Sequence, residues 1–413
     1  MTVNGRTHPP TILVTDADRG SAITIIRSLG HKGWRVIAAD SSPQSLGFRS
    51  RYTQASLLYP APETDPQAFV SVLLNAVRKW EINLIIPVTD AAILPLSQAR
   101  EQFAKVCRLA MPAASALEVA ADKLKTIDLA KRLGVPVPET RLAHTVQEAC
   151  DLDQPLSWPV VLKPQVSQLY REQASIEAFK VCYAENLSQL AEQMRRFEGR
   201  CPVLLQEYYS GSGQGVELLM YQGQPLAAFQ HKRLREVPIN GGASAFRESM
   251  PLDPVLYDYS IRLLQALNWT GLAMVEFKVG PAGAKLMEIN GRVWGSLPLA
   301  VRSGVDFPAR LAELYLDGPP QTQANGHTGY ALGVRARNLE LDMLWIAAVL
   351  YGRPRYSFLS MPSRYQGLKA LFGLLNPTYK FDILSLDDPR PGLAELPKIA
   401  SKLGRKLKTE TGY

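Results

Sequence analysis

Residues 11–40, "TILVTDADRGSAITIIRSLGHKGWRVIAAD", set a short β-rich run, a polar loop, an apolar-periodic stretch and a second β-rich run in succession. Thr11 to Thr15 predicts a strand, Gly20 and Ser21 open a helix that ends at Gly30, and "WRVIAAD" predicts the next strand. "NLIIPVTD" repeats the pattern and ends in Asp90. Strands that alternate with helices pair in parallel and present ligand loops at their C-terminal ends. Asp16, Arg19, Asp40 and Asp90 are therefore expected along one sheet edge. The loop "TDADRGSA" lacks the G-x-G-x-x-G pattern of a dinucleotide site. Arg19 stands beside Gly20 at a helix start, a position that favours anions, and is the expected contact for a substrate carboxylate.

A chain of 413 residues exceeds one ordinary core, so two or three domains are expected. With 46% hydrophobic and 20% charged residues the composition is that of a globular protein. The start "MTVNGRTHPP" has no apolar signal-peptide core, and the longest apolar run, "MLWIAAVLYG", is too short to span a bilayer. The expected location is the cytoplasm. The four cysteines show no metal-ligand spacing and the five histidines are scattered, so reduced core thiols are expected and a zinc site is not. The net charge of +8 is mild, and part of it lies in the tail "SKLGRKLKTETGY". That tail reads as a solvated end or as a weak peripheral contact with anionic membrane. Basic and aromatic residues do not interleave, so no nucleic-acid partner is expected.

Further along, "SALEVAADKLKTIDLAKRLG" predicts one helix ended by Gly134, and "WPVVLKP" a strand carrying Lys163. "CPVLLQEYYSGSGQGVELLMY" reads strand, Gly/Ser loop, strand. "QPLAAFQHKRLREVP" is a strand whose alternation puts His231, Arg233 and Arg235 on one face. "DPVLYDYSIRLLQALNWTG" is a helix and "LAMVEFKVGPAGAKLMEIN" a hairpin. Beyond about residue 325 the pattern is helical and broken by proline, with no catalytic motif.

The hairpin carries the chemistry. Glu288 and Asn290 share one face of an otherwise apolar strand. A three-residue loop at Pro281 to Gly283 makes paired residue numbers sum to about 564, which sets Glu276 opposite Glu288. Facing carboxylates repel unless a positive group sits between them. Two carboxylates and an amide oxygen suit Mg²⁺ bridging to phosphate oxygens. A solvated outer sheet face fits the same three residues. Arg292, two residues beyond Asn290, favours the site reading because a guanidinium there can fork onto phosphate or carboxylate.

Taken together, "DK" at 122–123, "VVLKP" at 160–164, "LLQEYYSGSG" at 204–213, "VEFKV" at 275–279 and "LMEINGRVWGS" at 286–296 resemble the ATP-grasp superfamily in order and spacing. The resemblance spans about residues 10 to 318. "FQHKRLREVP", "GGAS", "RES" and "ALNWTGLAMVEFKV" are similar to a bacterial group of ATP-dependent carboligases, and more distantly to mycosporine-forming ligases. It implies a mixed α/β and α+β chain. A parallel-sheet pre-ATP-grasp domain (1–112) precedes a two-subdomain ATP-grasp fold (113–320, its lid to about 205), and a helical extension follows (321–413).

The implied activity is a ligase that uses ATP and Mg²⁺ (or Mn²⁺) to turn a carboxylate into an acyl phosphate, which an amine, a thiol or another nucleophile attacks. An ATP-grasp phosphotransferase, or a non-catalytic ATP-binding subunit, is the alternative; a homodimer is compatible with each. By resemblance, Lys123 and Lys163 contact phosphates, and Glu207 with the backbone near Tyr208 and Tyr209 holds adenine. Gln214 stands where the family usually has a ribose-binding acid, with Glu217 the nearest carboxylate. Glu276, Glu288 and Asn290 are the implied metal ligands and Arg292 the transition-state cation. His231, Arg233 and Arg235 read as a cationic wall for the transferred phosphate or as a cross-strand charged surface, and Arg247 as a clamp on the acceptor carboxylate or as part of a surface loop. The lid segment "QVSQLYREQASIEAFK" has no glycine, so Arg171 or Lys180 would stand in for backbone cradling.

Overall fold

The computed structural model describes residues 9–152, 157–166, 168–170, 176–178, 180–239, 241–320, 329–352 and 356–411. The opening alternation forms a five-stranded sheet from β1 (Thr11–Val14), β2 (Arg35–Asp40), β3 (Thr53–Leu58), β4 (Leu84–Ile86) and β5 (Arg108–Leu109). Their order is β3-β2-β1-β4-β5, and every pairing is parallel. Helices α1 (Gly20–His31), α2 (Pro66–Trp80), α3 (Asp90–Gln98) and α4 (Arg100–Ala104) connect the strands. Ile12, Val14 and Val36 pack on one side, Leu13, Ile37 and Ile85 on the other. Burial on both faces is what a parallel sheet with helical crossovers requires.

The expected single helix over 115–134 is two helices, α5 (Ala114–Ala121) and α6 (Lys123–Arg132). Asp122 breaks it: the residue is extended, its carboxylate accepts from the amides of Leu124 and Lys125, and it also takes the Gln165 amide at 2.8 Å. An N-cap that satisfies orphan amides competes with continuing the helix.

Strand β6 (Thr140–Ala143), helix α7 (Val146–Cys150), β7 (Val160–Pro164), β8 (Gln168–Tyr170), β9 (Ile176–Ala178), β10 (Cys182–Ala184), α8 (Leu187–Met194) and β11 (Val203–Glu207) follow. β10-β7-β11-β6 form a second, antiparallel sheet under α7 and α8, while β8 and β9 pair separately. Then come β12 (Ser212–Tyr221), β13 (Gln224–Val237), β14 (Ala243–Met250), α9 (Pro254–Ala266), β15 (Gly271–Gly280), β16 (Gly283–Asn290), α10 (Leu297–Arg302) and α11 (Phe307–Asp317).

The C-terminal segment holds helices as expected: α12 (Leu339–Tyr351), α13 (Arg364–Phe372) and α14 (Pro389–Thr411). It also supplies β17 (Arg335–Arg337) and β18 (Lys380–Phe381), which complete a seven-stranded sheet, β16-β15-β12-β13-β14-β17-β18. The four cysteines are free, and no helix among the described residues is long and apolar enough to cross a membrane.

The same segment locks onto the first domain. The fully buried Asp388 carboxylate accepts from Arg27 Nε at 3.0 Å, Ser50 Oγ at 2.7 Å and the Arg51 amide at 3.0 Å. Removing one member of a buried ion pair strands the other charge. Asp388→Ala is expected to lower stability by about 3–5 kcal/mol in urea unfolding, whereas Ala at the neighbouring, exposed Asp387 leaves the unfolding midpoint nearly unchanged. On α14, burial, with Asp382, Glu340 and Asp18 adding, pushes the Glu395 carboxyl up to about 7. The folded chain keeps a proton that the unfolded chain releases, so this stability is full below the unfolded value and fades as pH rises through 7. Glu395→Gln is expected to melt above the wild-type protein at pH 8, with the gain vanishing toward pH 5.

Candidate active site

β15 and β16 face the two carboxylates by a route different from the expected loop. Gly280 pairs with Gly283, so the turn itself is Pro281 and Ala282, and numbers sum to 563 as far as Phe277 opposite Leu286. Met287 is then the extra residue of a bulge, and the register becomes Glu276 opposite Glu288. Asn290 Nδ2 lies 3.1 Å from Glu276 Oε1 and 3.2 Å from Glu288 Oε1.

Cations converge on this pair. Arg233 Nη2 reaches Glu276 Oε2 at 2.6 Å and Arg233 Nη1 reaches Glu236 Oε1 at 3.2 Å. Burial opposes ionisation of Glu288, but Lys123, Lys163 and Arg292 outweigh it and hold its carboxyl below the usual range. Burial pushes Glu276 up, and Glu288 adds to the rise against Arg233. Lys163 is driven down to about 8 by burial, with Lys123 and Lys278 pushing the same way against Glu288 and Glu276. Burial likewise lowers Lys123 and Lys278. Buried lysines crowding one another are relieved by a polyanion.

Between the second and third sheets lies a cavity of about 430 Å³. Lys163, Arg233, Glu276, Glu288 and Arg292 line one part of it, and Glu207, Tyr208 and Tyr209 another. β11 ends at Glu207, which pairs with Lys285, while the Tyr209 hydroxyl donates to the Gly283 carbonyl at 2.7 Å. The segment after β11 is thereby tied to the acidic hairpin. Lys123, at the start of α6, lies against Glu288 and Asn290 on a neighbouring cavity. Arg292 Nε donates to Asp90 Oδ2 at 2.9 Å, so Asp90 joins the site across the domain boundary.

The donor set fits a hard divalent cation. Among the described residues no group of three or more His, Cys, Asp or Glu could hold a metal. Two carboxylates and an amide form a partial shell, which suits a cation that takes its remaining ligands from phosphate and water. A half-turn of the Asn290 amide brings its oxygen to the carboxylates, since the nitrogen and oxygen positions are assigned from the hydrogen-bond network.

Several expected site residues lie elsewhere. His231 is fully buried, its Nδ1 3.0 Å from Glu217 Oε1, and Ser296 Oγ donates to the same carboxylate oxygen at 2.9 Å. This pair supports the loop that carries Arg292 and is closed to a phosphate; Glu217 is equally closed to a ribose. Gln214 points to the opposite sheet face, where its oxygen accepts from Gln230 at 2.9 Å. The cavity side of β12 is Gly213. Arg247 is fully buried against Asp382 and has no opening to an acceptor.

Arg235 leaves the shared face because the register shifts between Arg233 and Arg235; its Nε pairs with Asp342 Oδ1 at 2.8 Å. Arg19 is exposed at the start of α1, off the cavity wall, and the neighbouring Gly20 packs on Asp382 and Ile383. Asp18 beside it is paired to Lys398. Arg171 lies outside the described residues, and Lys180 is exposed.

Three residues were missed. Lys278 is two positions from Glu276 on the same strand, and its Nζ sits 5.2 Å from the Tyr208 ring centre. Its signal was the same period of two that singled out Glu288 and Asn290. Glu236 lines the cavity beside Arg233 because of the β13 register shift. Asn338, from the C-terminal segment, lines it too, and no local motif announced it.

A family model described as ATP-grasp in the biosynthetic pathway with Ter operon matches residues 200–338. The carbamoyl phosphate synthase large chain of Thermus thermophilus is 26% identical over 333 residues, 76% of this chain and 29% of its own length. That of Archaeoglobus fulgidus is 22% identical over 297 residues, 70% of this chain and 26% of its own. The chain thus spans less than a third of these curated relatives. Among solved structures, an L-amino acid ligase from Bacillus licheniformis superposes with a TM-score of 0.61 at 16% identity, covering 79% of this chain and 78% of that one. A biotin carboxylase from Campylobacter jejuni gives 0.60 at 19% identity, over 79% and 74%. A parallel first sheet, an antiparallel second sheet, a large sheet ending in the acidic hairpin, and these matches agree: the chain is similar to ATP-grasp proteins in sequence and shares their fold.

Proposed function

We propose that the protein is an ATP- and Mg²⁺-dependent ligase that activates a small-molecule carboxylate as an acyl phosphate and joins it to an amine or other nucleophile. The observation that carries this reading is the facing Glu276–Glu288 pair, bridged by Asn290 and ringed by Lys123, Lys163, Arg233 and Arg292. Under it, residues 1–112, 113–320 and 321–413 act as substrate-side domain, nucleotide-binding fold and covering segment. The protein works in the cytoplasm.

Glu276, Glu288 and Asn290 would hold Mg²⁺ (or Mn²⁺), which supplies charge neutralisation to the nucleotide phosphates. Lys163 and Lys123 hold phosphate oxygens. Glu207 and the backbone at Tyr208 and Tyr209 receive the adenine, with Lys278 over Tyr208 closing that end. Glu236 takes the place given to Gln214 as the polar group nearest a ribose.

A carboxylate oxygen of the substrate forms a bond to the γ-phosphorus while the bond to the bridging oxygen breaks, and ADP departs with that electron pair. Arg292, oriented by Asp90, and Arg233 stabilise the charge on the transferred group. The nucleophile then bonds to the acyl carbon, inorganic phosphate leaves, and the nucleophile's proton passes to solvent or a neighbouring carboxylate. Enclosure between the lid sheet and the large sheet keeps water from the acyl phosphate.

Two measurements test the reading. ATP with Mg²⁺ at about 100 times Kd is expected to stabilise the chain by roughly 2.7 kcal/mol, and Lys163→Ala to weaken that response. No thermal shift with MgATP would refute nucleotide binding. Glu288→Gln is expected to cut acid-dependent ADP release by on the order of 100-fold or more and to lower the melting temperature, since it removes a metal ligand and the counter-charge of Lys123, Lys163 and Arg292 together. Wild-type turnover in that variant would reject the metal-site assignment.

A further inference from the structure

A second cavity, of about 580 Å³, adjoins the nucleotide cavity and shares Met287 and Glu288 with it. Two helix faces form its walls. On α3 the lining residues Asp90, Ile93, Leu94 and Ser97 recur at the spacing of one helical face, and on α5 Ala114, Leu117, Glu118 and Ala121 do the same. Small alanines on α5 leave the space open.

The wall between is apolar, from Ile93, Leu94, Leu117, Val166 and Met287, while the charges are at its margins and already engaged. Asp90 takes Arg292, Glu118 takes Lys125, and Asp122 caps α6. At one end stand Lys123, Glu288 and Asn290. Met287 is a wall residue of both cavities at the hairpin bulge, so the device that faces the two carboxylates also sets the boundary between the cavities.

Resting on the ligase reading above, we propose that this cavity binds the body of the acid substrate, and that the substrate is a carboxylic acid with an apolar chain or ring. The volume is that of a small-molecule site, whose usual make-up is apolar walls with a few convergent polar groups. The part of a ligand that reaches Lys123 and Glu288 meets the γ-phosphate first, and the group that attacks phosphorus is the carboxylate. The nucleophile attacks carbon afterwards and has no need of this cavity. Lys123 complements the carboxylate, and the apolar wall complements the chain or ring attached to it.

Calorimetric titration of butanoate, hexanoate, octanoate and methyl octanoate into the full chain tests this, with MgADP titrated separately. Affinity is expected to rise roughly three- to fourfold per methylene from butanoate to octanoate, and the ester to bind at least tenfold more weakly than octanoate. Ala121→Trp, which fills the cavity from α5, and Leu94→Asp, which places a charge on the opposite wall, are each expected to lose octanoate binding and keep MgADP affinity within twofold. Equal affinity across the chain lengths, ester binding equal to the acid, or octanoate binding unchanged in both variants would overturn the proposal. So would a parallel loss of MgADP binding in both folded variants, which would make the cavity part of the nucleotide site. Failure of the wild-type protein to bind MgADP would instead count against the ligase reading, with the chain-length series still deciding whether the cavity takes apolar acids.

Discussion

Two carboxylates held face to face across neighbouring strands repel each other, and the large sheet is arranged to hold Glu276 and Glu288 in that position. A bulge at Met287 restores their register after a two-residue turn. Arg233 arrives from β13, two strands away, Lys163 from the second sheet, Lys123 from the first turn of α6 and Arg292 from the loop beyond β16. Each cation comes from a different element, so the electrostatics of the pair depend on the packing of the whole body. The break at Asp122 belongs to the same arrangement, since it starts α6 at Lys123.

Behind this site is a supporting layer. Glu217, His231 and Ser296 form a buried polar cluster under the loop carrying Arg292, and Gly215 leaves room for the imidazole: a Cβ there would come within 2.7 Å of His231 Cε1. The C-terminal segment adds a second support. Glu185, which follows β10, accepts from the Ser357 amide at 2.7 Å, and Tyr183 and Tyr208 pack with Tyr356 and Phe358. Residues far along the chain thereby hold the second sheet and the segment after β11 together.

The sequence made legible what depends on short periods. Strand–helix alternation announced the parallel sheet, and period-two patterning brought out the acidic hairpin and its facing pair. Parity also explains the failures. Gln214 was placed by its distance from Glu207, but Gly213 is the β12 residue on the cavity side, so Gln214 points away. His231, Arg233 and Arg235 were given one face, yet an irregularity in β13 turns Arg235 to Asp342 and brings Glu236 in. Residue type alone misled at Arg247, because Asp382, which it is buried against, is more than a hundred positions away. Asn338 and Asp388 carried no local signal, since their partners are set by tertiary packing alone.

The pairing of Arg27 with Asp388 spans 361 positions. On a ribosome adding roughly 5–20 residues per second, the first helix is complete roughly 20–70 s before its buried counter-charge exists. The opening parallel sheet, which an isolated domain could form early, therefore lacks that contact until residue 388 has emerged. The part of the α1 face that Asp388 covers, with the Arg27 guanidinium, stays open through that interval. Synthesis order thus makes the C-terminal segment the closing step of the first domain, and the speed of elongation a determinant of how long that face stays open to chaperones or to other chains.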